Sequence, residues 1–116
     1  MAMVLCVGSD QSLLDTRTLI LKSAGHEVRQ ARSQKEVVSL CEEHQFDVAV
    51  LGQPISSRMK QLAASIIRER CTHVKILELY QPHQGKALGD ADGWLEVPAE
   101  VPGDLADCVN ELANRK

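Results

Sequence analysis

Aromatic side chains are almost absent: Trp94, Tyr80 and Phe46 are the only three in 116 residues. That leaves no platform on which single-stranded bases could stack. A basic excess is missing too, since 13 Lys and Arg stand against 16 Asp and Glu for a formal charge of -3. The electrostatic footprint of a nucleic-acid binder is therefore not there, and no nucleic-acid partner is expected. The cysteines at 6, 41, 71 and 108 never form a C-x-x-C pair. Such scatter excludes a zinc knot or dense disulfide framework and predicts small, mostly buried hydrophobes, with Cys71 as an exposed thiol near a loop. Cys71 and His73 are two ligands where a tetrahedral site needs four, so no metal is expected. The apolar run from Met1 to Gly8 is too short to cross a bilayer and has no basic flank. A cytoplasmic location without membrane contact is the expectation.

What is present is the make-up of a folded protein, 44% apolar and 25% charged. One core is all this length allows, and residues 1–116 are expected to form a single domain burying roughly two thirds of the unfolded surface. Met3 to Gly8 is a continuous apolar run closed by glycine, the pattern of a strand buried on both faces. Ser9 or Asp10 can cap a helix from about Gln11 to Ala24, with Leu13, Leu14, Leu21 and Ala24 inward and Gly25 as its stop. Glu27 to Ala31 alternates in polarity and reads as an edge strand. Ser33 and Glu36 form a capping box opening a helix that carries Val37, Val38 and Cys41 inward and ends near His44.

Phe46 to Leu51 repeats the buried-strand pattern and is closed by Gly52. Beyond a loop containing Pro54, Met59, Leu62, Ala63, Ile66 and Ile67 mark a helix that leaves Lys60, Arg68 and Arg70 outside. Val74 to Leu79 is a fourth strand and Gly93 to Val97 a fifth. Between them Pro82, Gly85 and Gly89 leave room for little more than two helical turns, a shortened fourth helix. Pro102 sits near the start of a last helix burying Leu105, Cys108, Val109 and Leu112. Strands alternating with crossover helices require a parallel α/β sheet, and right-handed crossovers at this length favour the flavodoxin-like three-layer order 2-1-3-4-5.

Three segments carry a family resemblance: Val4 to Val7 with the helix up to Val28, Phe46 to Leu51, and Asp90-Ala91-Asp92-Gly93-Trp94-Leu95-Glu96-Val97-Pro98. Through them the whole chain resembles the receiver domain of response regulators in two-component, phosphorelay signal transduction. In that family a phosphoryl group passes from a kinase histidine to an aspartate ending the third strand. An acidic pair after the first strand holds magnesium, a hydroxyl ends the fourth strand, and a lysine before a proline ends the fifth. The resemblance puts Gly52 at the phosphoacceptor, Gly8 and Ser9 at the acid pair, Glu78 at the hydroxyl and Val97 at the lysine. Every one of these positions has changed.

Glycine offers no nucleophile. Magnesium needs oxygen ligands, and only Asp10 remains near the first strand. Shifting the match by one to make Asp10 part of an acid pair would exchange the strand's faces and restore no phosphoacceptor. Asp47 lies about 16 Å back along its strand at 3.3 Å per residue. Val97 brings no cation to a phosphoryl oxygen. Two spacings, Gly52 to Glu78 and Glu78 to Val97, are each about one helical turn short of the family's.

The resemblance therefore implies a degenerate copy, a pseudo-receiver, with no enzymatic activity, no catalytic residue and no cofactor. It implies a protein-interaction module whose partner is a signalling protein or a second copy of the chain. The contact face would comprise the segment from Gln81 to Asp92, the fifth strand and the last helix, with Tyr80 and Trp94 as aromatic anchors. The family keeps the peptide before Pro98 cis, and the same is expected here. Glu78 is expected as a partly solvated carboxylate, with no lysine left to hold it, and His26, His44, His73 and His83 as surface residues. The last helix runs nearly to Lys116, so no output domain is expected. One alternative is a small-ligand site in a crevice widened at Gly8 and Gly52, the switch point of a doubly wound sheet. Another is an atypical phosphoacceptor or enzyme working through Ser9, Ser56 or Ser57, for which no general base lies at a recognisable spacing.

Overall fold

The two apolar runs closed by glycine become neighbouring strands at the heart of the sheet. A computed structural model describes residues 2–52, 55–71, 73–98 and 103–115. The turn positions Pro54 and Pro102 lie outside the described residues. The strands are β1 (Met3–Val7), β2 (Glu27–Ala31), β3 (Val48–Leu51), β4 (Lys75–Tyr80) and β5 (Gly93–Glu96). The helices are α1 (Gln11–Ser23), α2 (Gln34–Glu43), α3 (Ser57–Arg70) and α4 (Gly103–Ala113). All pairings are parallel, in the order β2-β1-β3-β4-β5. This is the doubly wound, flavodoxin-like arrangement that the alternation of elements predicts.

Strand alternation divides the core between two faces. Leu5, Val7, Ala49, Leu51 and Ile76 pack against Val37 of α2 and Ala63 and Ile67 of α3. Val4, Cys6, Val48, Val50, Leu77 and Leu79 pack against Leu14 and Leu21 of α1 and Leu105, Val109 and Leu112 of α4. Local signals behave as the sequence reads. Asp10 caps α1 by accepting the Leu13 N–H, and Ser33 caps α2 by accepting the Glu36 N–H. Gly25 takes a φ of 95° after α1, a conformation that only glycine adopts cheaply.

Five expectations are corrected. Residues 81–92 contain turns but no helix, so the shortened fourth helix does not exist. Gly85 takes a φ of 74°, and the amides of Ala87 and Leu88 are engaged by a side chain, not by a helical turn. On α3 the inward stripe is Lys60, Ala63, Ala64 and Ile67, while Leu62 is 39% exposed. On α1 the stripe is Leu14, Arg17 and Leu21, with Leu13 partly exposed and Ala24 outside. His26 is buried, its Nδ1 accepting the Ala2 N–H at 3.0 Å and its Nε2 lying 2.6 Å from Asn110 Oδ1. Because Nδ1 accepts, Nε2 carries the proton. Finally, Cys41 and Cys71 are joined in a disulfide, so Cys71 is no exposed thiol; Cys6 and Cys108 are the free cysteines.

Candidate functional site

The positions that the resemblance assigns to phosphotransfer lie at the carboxyl ends of the strands, where a doubly wound sheet presents its crevice. Gly52 follows β3 directly and donates its N–H to Val7 O at 2.9 Å. Gly8 follows β1 in the same way, donating to Ala31 O. The space in front of Gly52 is filled. A Cβ added there would run into the Arg17 guanidinium and come within 3.2 Å of Val7 O. Arg17 arrives from α1, on the stripe between Leu14 and Leu21, and is only 9% exposed. Burial pushes its pKa below the usual arginine range, opposed by the nearby Cys6 sulfur and the Asp10 carboxylate. An arginine nonetheless stays charged. The position that the resemblance assigns to the phosphoacceptor thus faces a buried cation.

Glycine at 8 does not open a crevice either. The cavity bounded by Val7, Gly8, Ser33, Val37 and Ile55 is about 10 Å³, at the lower limit for a single water.

Glu78 overturns its sequence reading most completely. Its side chain is fully buried, and Lys60 from α3, 2% exposed, sits 2.9 Å from Oε2. The Lys60 ammonium also donates to Leu79 O at 2.6 Å. The same carboxylate accepts the Ala87 N–H at 2.7 Å and the Leu88 N–H at 2.9 Å. A buried charge survives only when paired and hydrogen-bonded, and Glu78 has a cation and two backbone donors. Glu78 is not brought to Gly52. It pairs in register with Leu51 and points to the α3 face, whereas Gly52 opens towards α1.

The Glu78 bonds fix the loop leading to β5. Arg68 of α3 donates to Asp90 O at 2.6 Å, and Trp94 Nε1 donates to Leu88 O at 2.9 Å. Tyr80 and Trp94 are half-buried neighbours beneath one ammonium. Lys86 Nζ lies 4.7 Å from the Trp94 ring centre and 5.5 Å from that of Tyr80, within cation–π range. Val97 packs on the other face, beside Leu79 and Arg17, and the Val97–Pro98 peptide is cis.

Among the remaining candidates, Ser56 Oγ is occupied as the α3 cap, accepting the Met59 N–H at 3.2 Å, and Ser57 begins that helix. Asp47 is used structurally, accepting the Met3 N–H at 2.8 Å. Among the described residues, no group of three His, Cys, Asp or Glu could hold a metal ion. Sequence reasoning missed Arg17 and Lys60, because periodicity assigns a charged residue to the outside. The available signal was Glu78 itself, an acid inside the apolar strand Ile76-Leu77-Glu78-Leu79, which demands a buried cation from a neighbouring element.

No family model matches the chain, and no curated protein is significantly similar in sequence. Solved structures do match over nearly the whole length. The chemotaxis protein CheY4 of Vibrio cholerae is 26% identical, covering 97% of this chain and 98% of its own, with a TM-score of 0.78. A response regulator receiver domain protein from Clostridium thermocellum is 20% identical, covering 99% and 96%, with a TM-score of 0.80. The response regulator TrrA of Thermotoga maritima, in complex with Mg(2+)-BeF, is 20% identical, covering 97% and 99%, with a TM-score of 0.79. The chain has the receiver-domain fold.

Proposed function

We propose that this receiver fold works without phosphorylation, as a pseudo-receiver that binds another protein in two-component signalling. The observation that carries the reading is the buried guanidinium of Arg17 in front of Gly52. That place has a cation and no nucleophile, and the acid pair of the family reads Gly8 and Ser9. The face formed by residues 81–92, β5 and α4 is the contact surface, with Tyr80 and Trp94 as its aromatic anchors. Lys60 and Glu78 hold its loop in one arrangement, so no phosphoryl group is needed to order it. The partner is a signalling protein or a second copy of this chain. The domain catalyses nothing and takes no cofactor. Among the described residues no helix is long and apolar enough to cross a membrane, and a cytoplasmic location belongs to the same proposal. Arg17 on the Gly52 side and a cavity of only about 10 Å³ at Gly8 speak against the small-ligand alternative.

Titration with magnesium and beryllofluoride, a stand-in for an acyl phosphate, tests this by amide NMR. The spectrum is expected to stay unchanged at Gly8, Gly52 and residues 81–92. Saturable shifts at those amides would overturn the proposal.

A further inference from the structure

Helix α2 buries the fewest residues of the four helices. Its only buried residues are Val37 and Cys41, and its strand β2 lies at the sheet edge. Cys41 stands near the carboxyl end of α2 and Cys71 caps the carboxyl end of α3. Their Cα atoms are 5.4 Å apart, within the span a disulfide bridges, and the bond joins residues separated by 30 in sequence. It therefore ties α2, which buries two residues, to α3, which buries Lys60, Ala63, Ala64 and Ile67.

The bond is buried, but its chain neighbours Glu42 and Arg70 are exposed. Cys41 is 7% and Cys71 6% exposed, at the rim of the core beside the exposed Arg70–Glu42 ion pair. The other two cysteines stand apart from this pair: Cys6 is buried in β1 and Cys108 lies on α4, both packed with the opposite face of the sheet.

We propose that Cys41–Cys71 is a redox-controlled clamp, whose reduction by a dithiol reductant loosens α2 while the rest of the sheet stays folded. In the exchange, a reductant thiolate bonds to one of the two sulfurs and the other leaves as a thiolate. The second reductant thiol then attacks its own sulfur in the mixed disulfide and releases the remaining cysteine as a thiolate. The reductant ends as a disulfide, and Cys41 and Cys71 take up two electrons and two protons as thiols. Disulfide exchange with an oxidised thiol runs the reaction backwards. The consequence is local opening of α2. Whether residue 52 can be phosphorylated has no bearing on this clamp.

Two measurements on the unaltered chain test it. Protein equilibrated with glutathione disulfide, then denatured and alkylated without reductant, is expected to gain two alkyl groups, and four after reduction. Four groups without reduction would overturn the clamp. Hydrogen exchange is then compared between the oxidised chain and the same chain reduced by dithiothreitol. Amides of Gln34–Glu43 are expected to exchange at least about tenfold faster on reduction, with β1 and β3 unchanged. Equal rates would overturn the proposal, and so would loss of protection throughout the sheet.

Discussion

Lys60→Met is expected to destabilise the fold by about 3–5 kcal/mol, the range for removing one partner of a buried ion pair. For a chain of this size that lowers Tm on the order of 15 °C. The magnitude follows from what remains: the Glu78 carboxyl is left without its cation, in a site with no solvent exposure. Adding Glu78→Leu to Lys60→Met removes the orphaned carboxyl and recovers part of the loss. Recovery stays incomplete, because the Ala87 and Leu88 amides lose the acceptor that Glu78 provides. Urea denaturation reads the stability, and hydrogen exchange at those two amides reads the loop. A loss under about 1 kcal/mol would mean that the pair is solvated, as exposed pairs are.

The second large effect concerns Arg17. Gly52→Ala is expected to cost about 1–3 kcal/mol, since the new methyl must displace the buried Arg17 guanidinium and crowd the Val7 carbonyl. Arg17→Ala empties that space, so the same Gly52→Ala change in its background costs much less. The double-mutant cycle should show a coupling of about 0.5–3 kcal/mol. Additive costs would mean that Arg17 does not occupy the space before Gly52. Gly52→Asp sharpens the point. The restored carboxylate meets a cation in place and no acid pair at Gly8 and Ser9, so it pairs with Arg17 and is not phosphorylated.

Elements whose signal is local were legible in the sequence. The continuous runs at Val4–Val7 and Val48–Leu51 need burial on both faces, and Asp10, Ser33 and Gly25 mark helix ends by chemistry that acts within one turn. Order and parallelism of the strands followed from the lengths of the crossovers. Features that depend on one element meeting another were not legible. Lys60 and Arg17 sit on inward stripes with apolar neighbours, and only the opposing strand ends show why they turn inward. The same holds for residues 81–92, where Pro82 and Gly85 announce irregular chain but not that Glu78 takes the amides a helix would have used. Cys41 and Cys71 become neighbours only once α2 and α3 lie side by side on one face. The emptied site was half visible: the glycines at 8 and 52 were plain in the sequence, whereas the cation filling the gap was not.

No acyl phosphate is expected to form on this chain. Intact mass after incubation with magnesium and acetyl phosphate, beside a functional receiver, measures it directly. An unchanged mass is expected for this chain while the control gains one phosphoryl group. A stoichiometric phosphoryl adduct on the native chain would contradict it, and peptide mapping would then name the residue that accepts the group in place of aspartate.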